Sequence, residues 1–208
     1  MIPSKKDLEI ILSTLKSFEK PKVELEQYMT PSSLAAEILW QAYLDGNIEG
    51  KFVVDFGCGT GILALGAAIL GASKVIGYDS DEEALKIAKE NYKLLTETKV
   101  PACEVVFIAE KIENVEQDCN TVIMNPPFGI QGKKGSDKKF LERAFQISDV
   151  VYSFHKIEKT NFPVKVAEDS DFIAALIAEE DFPIKASMEF HEKKKHVINV
   201  GLWRFVPK

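Results

Sequence analysis

Apolar residues at Leu8, Ile11, Leu12, Leu15 and Phe18 recur every three or four positions, the spacing that lines one face of a helix. The pattern predicts a helix over 7–18, stopped by Pro21, which has no backbone N–H to continue it. Residues 24–30 lack this period and read as a loop. A second helix is predicted over 31–44, with Thr30 as its cap and Pro31 in its first turn. From Lys51 the pattern changes to short β-branched and aromatic runs, which predict strands over 51–56, 74–78, 104–108, 121–124 and 149–154. Helical patterns lie among them over 61–70, 81–95 and 137–147. Such alternation gives an α/β fold, a doubly wound and mostly parallel sheet with helices on both faces. The chain end departs from it. Residues 171–177 and 197–206 read as two strands with no good helix between them, an antiparallel pair at one edge. Lys133-Lys134-Gly135-Ser136 is the expected mobile loop. No repeat or low-complexity segment interrupts the 208 residues, which read as one domain, 1–208, with 1–45 as a helical extension packed on it.

Two strand ends carry the chemistry. Asp55-Phe56-Gly57-Cys58-Gly59-Thr60-Gly61 joins a strand to a helix, and its glycines permit a tight turn that a ligand can approach closely. The next strand ends in Asp79, about 20 residues on, where a carboxylate can accept both hydroxyls of a ribose. A nicotinamide dinucleotide site shares those features. Here, however, the spacing is Gly-x-Gly-x-Gly, and Asp55 ahead of it would repel a pyrophosphate. A carboxylate there favours a ligand with a cation or an amino group, as in S-adenosylmethionine. The second strand end is Asn125-Pro126-Pro127-Phe128. The prolines fix the backbone and hold the residues before them extended. The loop therefore presents an amide, a carbonyl and an aromatic ring. These suit a planar group bearing an NH2, whether a nucleobase or a carboxamide.

Composition narrows the setting. At 46% hydrophobic residues the chain is that of an ordinary globular protein, and its longest nearly apolar stretch, 62–72, is too short to span a membrane. With no signal region at the start, a cytoplasmic location is expected. Cys58, Cys103 and Cys119 are scattered, which argues against a disulfide frame or a metal site; Cys58 reads as a small filler in the glycine loop. The net charge of −6 is unusual for a protein that binds nucleic acid alone. Two clusters are nonetheless basic: Lys133, Lys134, Lys138 and Lys139 just past the Asn-Pro-Pro-Phe loop, and Lys193, Lys194 and Lys195 before the last strand. Both are candidate phosphate contacts.

The two motifs together resemble the seven-stranded amino methyltransferases that use S-adenosylmethionine. More closely, Leu25-Glu26-Gln27-Tyr28-Met29-Thr30, the glycine loop, Val122-Ile123-Met124-Asn125-Pro126-Pro127-Phe128-Gly129, Tyr152-Ser153-Phe154-His155-Lys156 and Phe190-His191-Glu192-Lys193-Lys194-Lys195 resemble the methyltransferase-like protein five family, archaeal-type members included. The resemblance covers roughly Leu25 to the C-terminus. It weakens between Lys156 and Ala167, where Phe162-Pro163 interrupts a helix of the family pattern. It implies a Rossmann-like methyltransferase fold and methylation of N6 of an adenosine in small-subunit ribosomal RNA. Cofactor S-adenosylmethionine would leave as S-adenosylhomocysteine. A small zinc-binding activator protein is implied as a partner, and no membrane. On this resemblance Asn125, Pro126, Pro127 and Phe128 are catalytic. Asp55, Gly57, Gly59, Gly61, Asp79 and Asn125 bind cofactor, joined by Gln27, Tyr28 and Thr30 near its methionine end and by Glu110 at its adenine. His155 and Lys156 are expected to contact RNA or pack, and Trp40 and Trp203 to be core. Three other readings are compatible with the residues: a protein glutamine methyltransferase, a DNA amino methyltransferase, and a ribosome-assembly factor that binds RNA without turnover.

Overall fold

Residues 4–98, 103–129, 135–157, 161–184 and 196–208 are described by the structure, a computed structural model. Strands β1 (Phe52–Phe56), β2 (Lys74–Asp79), β3 (Val105–Ala109), β4 (Cys119–Met124) and β5 (Ser148–Lys156) are parallel, and β6 (Phe172–Ile184) and β7 (His196–Pro207) complete a seven-stranded sheet. The order β3-β2-β1-β4-β5-β7-β6 places β7 between β5 and β6 and antiparallel to both. The expected antiparallel pair is thus present at the edge, and both of its strands run longer than the sequence pattern suggested.

The near-continuous apolar runs of the central strands follow from burial on both faces. Val53, Val75, Val105, Ile123 and Tyr152 face one core, shared with α1 (Lys5–Ser13), α2 (Ser32–Leu44), α3 (Ile62–Ile69) and α4 (Glu82–Glu97). Val54, Ile76, Val122 and Val151 face the other, shared with α5 (Ser136–Ile147) and α6 (Phe162–Asp169). Leu8 and Leu12 of α1 are fully buried in the first core, so the N-terminal helix packs into the fold.

Three local expectations are corrected. First, α1 ends at Ser13, well before Pro21. The Ser13 and Thr14 hydroxyls donate to the carbonyls of Ile10 and Ile11, and beyond them the chain leaves the helix while still burying Leu15. At the other end Ser4 and Asp7 form a capping box. Second, Thr30 does not cap α2. Pro31 holds that position, and the Thr30 hydroxyl is turned into the site described below. Third, Phe162-Pro163 opens a helix: α6 begins there, with the proline in the first turn, where its missing N–H costs nothing.

The sheet order reverses between β1 and β4. In such sheets ligands bind where the order reverses, at the carboxyl ends of the strands. Phe56 pairs with Met124, so the glycine loop and the Asn-Pro-Pro-Phe loop leave adjacent strands side by side.

Candidate active site

The glycine loop is built to leave its surface bare. Gly57, Gly59 and Gly61 all have positive φ (68°, 52° and 88°), a region that residues with a Cβ rarely adopt. The N–H groups of Gly57 and Cys58 donate to the Tyr78 carbonyl, at 2.8 and 3.0 Å, and so tie the turn to β2. Asp79, the last residue of β2, locks the loop from its other side. Its Oδ2 accepts from the Gly59 N–H (2.8 Å) and its Oδ1 from the Asp81 N–H (2.9 Å). A carboxylate has about four lone-pair sites, so acceptor capacity remains. Burial raises the Asp79 carboxyl above its ordinary value, and the backbone N–H donors partly offset this.

Asp55 lies beneath the loop. It is buried, and its Oδ2 accepts from Ala64 N–H in the first turn of α3 at 2.9 Å, while Oδ1 has no hydrogen-bond partner. Burial pushes its carboxyl up to about 8, and Asp79 adds to the shift. Cys58 is the filler expected of it: the absent Cβ of Gly77 would lie 2.9 Å from its sulfur, and burial holds its thiol well above the ordinary value.

Residues 14–31 cross the loop as a strap with specific fastenings. Asn91, fully buried on α4, accepts from the Lys16 N–H through Oδ1 (2.8 Å). Its Nδ2 donates to the Lys16 carbonyl and to the Thr60 carbonyl of the glycine loop, both at 3.0 Å. Asp81, which caps α4, accepts from Lys22 Nζ (2.8 Å) and Gln27 Nε2 (2.6 Å). These fastenings lay Phe18 against the loop, where a Cβ on Gly59 would come within 2.8 Å of its ring. Glu26, buried and left-handed at φ 50°, turns the strap inward.

The strap's end sets the other half of the site. Thr30 Oγ1 accepts from Asn125 Nδ2 at 3.0 Å, which leaves Asn125 Oδ1 buried with no partner. A buried acceptor without a donor costs free energy, so the site is arranged for a donor that arrives with a ligand. Asn125 lies on the wall of a cavity of about 660 Å3 that also exposes Gly57, Gly59, Asp79, Glu110 and Pro127. Gln27 and Tyr28 reach the same wall, and Phe140 lies behind Gly57. Bare glycine backbone, a ribose-competent carboxylate and an orphaned amide oxygen together fit an adenosyl cofactor beside an amine.

Other expected site residues stand off this wall. Asp55 anchors α3. Gly61 packs against Phe107 and Ala88. Thr30 acts on Asn125, and Pro126 and Phe128 do not line the cavity. The Phe128 ring meets Phe182 of β6 edge-on, with centroids 5.4 Å apart. Glu110 does reach the wall. Its carboxylate accepts from Asn114 and from the Lys111 N–H, and its own N–H donates to the Asp79 carbonyl. Of the expected RNA contacts, Lys138 pairs with Glu142 (3.4 Å), and Lys139 reaches both Glu113 (3.5 Å) and the cavity. Lys133, Lys134, Lys193, Lys194 and Lys195 lie outside the described residues. His155 is buried between Phe162 and Phe205, and desolvation lowers it to about 3, so it packs and stays neutral. Trp203 is core, and Trp40 is half-buried against Tyr43. Among the described residues no helix is long and apolar enough to cross a membrane, and no cluster of three metal-ligating side chains occurs.

Phe18, Asn91, Asp81 and Phe140 were not foreseen from sequence. Only Asp81 carried a signal, as an N-cap residue ahead of a helix.

The family model for ribosomal protein L11 methyltransferase (PrmA) matches residues 36–126. The rRNA N(6)-adenosine-methyltransferase METTL5 of Danio rerio is 38% identical over 97% of this chain and 98% of its own length. An uncharacterised protein of Methanocaldococcus jannaschii is 40% identical over 96% of this chain and 93% of its own. Among solved structures, a proposed RNA methyltransferase of Pyrococcus horikoshii superimposes with a TM-score of 0.84 at 42% identity, covering 100% of this chain and 99% of that one.

Proposed function

The chain belongs to the METTL5 family of rRNA N(6)-adenosine methyltransferases, and from that premise we propose how its own residues methylate an adenosine of ribosomal RNA at N6. It is an S-adenosylmethionine-dependent N-methyltransferase. The cofactor supplies the methyl group from a sulfonium and departs as S-adenosylhomocysteine. The observation that carries the site assignment is the buried, partnerless Oδ1 of Asn125 on the same cavity wall as Asp79 and the bare glycines.

The N6 lone pair of adenine is delocalised into the ring and is a weak nucleophile. It becomes available as the nitrogen turns tetrahedral. Asn125 Oδ1, the unpartnered acceptor on the cavity wall, is assigned to an N–H bond in that geometry, so it holds the transition state more tightly than the planar ground state. Thr30 keeps the amide from rotating. After transfer the nitrogen is cationic and acidic and loses its proton to water, so no strong base is needed. His155, buried and neutral, is not one. Asp79 is assigned to the ribose and Glu110 to the adenine edge. Gln27 and Tyr28, on the cavity wall, close the methionine end, whereas Phe128 packs against Phe182 of β6 and does not line the cavity. The target must leave its stack to reach Asn125.

The finer reading is that the target lies in small-subunit RNA and that a small zinc-binding activator completes the RNA-binding surface. An acidic chain whose cavity wall carries Glu24, Glu26, Glu110 and Glu113 supports such help. We take 1–208 as one methyltransferase unit. The PrmA match, residues 36–126, covers less than half of the chain and stops inside the Asn-Pro-Pro-Phe loop, so the substrate is read from the full-length relatives.

The test uses labelled cofactor with RNA, DNA and protein fractions, and the Asn125→Ala variant. Label should enter RNA as N6-methyladenosine, and the variant should lose transfer while keeping cofactor affinity by calorimetry. Near-normal turnover by Asn125→Ala would end the mechanism.

A further inference from the structure

A second cavity, of about 650 Å3, lies against the same strap. Phe18, Gln27 and Tyr28 line both cavities, so the two share a wall made by these side chains. We infer that this second cavity receives the nucleobase adjoining the target adenosine in the RNA strand, a subsite that rests on the RNA reading above.

Its size lies within the range of ligand clefts, about 300–1,000 Å3. Its wall chemistry selects the occupant. Pro21, Met29 and Pro31 give flat or soft apolar surface over the buried Leu12 and Leu15, and the Phe18 and Tyr28 rings give stacking faces. Ser13, Ser17 and Thr30 add hydroxyls and Gln27 an amide, groups that can bond to a base edge. Among the described residues no Asp, Glu, Lys or Arg lines it. The cavity therefore rejects a phosphate or a charged side chain and accepts a neutral planar group with polar edges. The first cavity differs: Glu24, Glu26, Asp79, Glu110 and Glu113 outnumber Lys111 and Lys139 on its wall. A phosphodiester is repelled there, so the strand is expected to lie outside it and insert only the target base.

The occupant is neither the cofactor nor the target base itself. The glycine loop and Asp79 do not line this cavity, and neither does Asn125, which the target amine must reach. It is nevertheless connected to the chemistry, because Thr30 stands on its wall and holds Asn125 by the 3.0 Å hydrogen bond. Filling the cavity with the correct neighbouring base bears on Thr30, Tyr28 and Phe18 together. This gives the enzyme a way to read sequence context without a separate recognition segment.

The experiment uses short RNA substrates carrying the mapped target, intact or with an abasic site at one neighbouring position, and the variant Ser17→Trp. Ser17 is exposed on this cavity's wall and does not line the methyl-transfer cavity. For wild type, one neighbouring abasic site should lower kcat/KM by about 5- to 150-fold, the range expected for one lost base–aromatic stack. Ser17→Trp should lose a similar factor on intact RNA and almost nothing more on the abasic substrate, with cofactor affinity and Tm unchanged. Ser13→Trp is the second variant should Ser17→Trp fold poorly, and the same pattern is expected. Equal wild-type rates on every abasic substrate would overturn the subsite. So would a full additional abasic penalty in the filled variants. Failure of wild type to methylate any RNA would overturn the functional reading as well, and it is seen separately in the intact-RNA control.

Discussion

Three carboxyl and hydroxyl side chains make separable predictions at the residue scale. Asp79→Ala should weaken S-adenosylmethionine binding by about 1.5–3 kcal/mol, the usual worth of a hydrogen bond to a charged group, measured by calorimetry. Unchanged affinity would remove Asp79 from the ribose. Thr30→Val keeps the shape and removes the acceptor that fixes Asn125. It should lower kcat while leaving cofactor affinity in place, because Thr30 touches Asn125 and not the glycine loop. A cofactor-binding defect without a fall in kcat would contradict that placement. Asp55 predicts a pH effect. Its carboxyl moves from an ordinary value of 3.8 to about 8 in the folded chain. Between those values the folded protein holds a proton that the unfolded chain has released, so this residue's contribution to stability falls as pH rises through that window. Melting curves of the cofactor-free protein should show Asp55→Asn losing less stability than wild type between about pH 5 and pH 8. Parallel pH profiles would show that Asp55 is not buried as a lone acid.

At the scale of elements, the strap and helix α3 are held in different ways. The strap has little regular structure and depends on side-chain fastenings to α4. Asn91 satisfies three backbone groups at once, two on Lys16 and one on Thr60. Asn91→Ala leaves them to find other partners, and a buried polar group without one costs about 1–3 kcal/mol. The variant should therefore lower Tm and weaken cofactor binding together, since the same amide positions Phe18 and the glycine loop. A loss of Tm with full cofactor affinity would separate the strap from the site. Helix α3 is held by close packing. A Cβ on Gly66 would collide with Leu39 Cδ1, and Leu39 is fully buried on α2. Alanine gains about 1 kcal/mol over glycine in helix propensity, whereas overpacking a core costs about 1–3 kcal/mol. Packing should win, and Gly66→Ala should melt below wild type.

For the whole molecule the question is how a chain of net charge −6 holds RNA. Lys138 and Lys139 have acidic partners in α5 and near Ile112–Asn114 (Glu142 and Glu113), which blunts their pull on phosphate. The remaining positions of the two basic clusters are Lys133, Lys134 and Lys193 to Lys195. Each phosphate contact on a single strand adds roughly 0.7 to the magnitude of the logarithmic salt slope. Neutralising Lys133 and Lys134 together should then flatten the slope by about one to two units without moving cofactor affinity. An unchanged slope would shift RNA binding to the strap, the N-terminal helix or a partner protein.

The strand–helix alternation, the antiparallel edge and the two strand-end motifs were legible in the chain because each is written in local period or in residues with special backbone geometry. Gly57, Gly59 and Gly61 permit the positive φ that a tight turn demands, and Asn125-Pro126-Pro127 is stiff in isolation. The strap was not legible. Leu15 and Phe18 continue the helical spacing of Leu8 and Leu12, so the pattern read through Ser13 to Phe18 as helix. Their burial has another cause: Asn91, 75 residues away along the chain, captures Lys16, and Phe18 drops onto Gly59. Thr30 likewise looked like a helix cap, because a hydroxyl before Pro31 has that local option. Asn125, 95 residues on, offered it a stronger role once β1 and β4 lay side by side. Local geometry thus specified which residues could do the chemistry. Contacts between distant parts of the chain, which no local period encodes, decided which of them face one another.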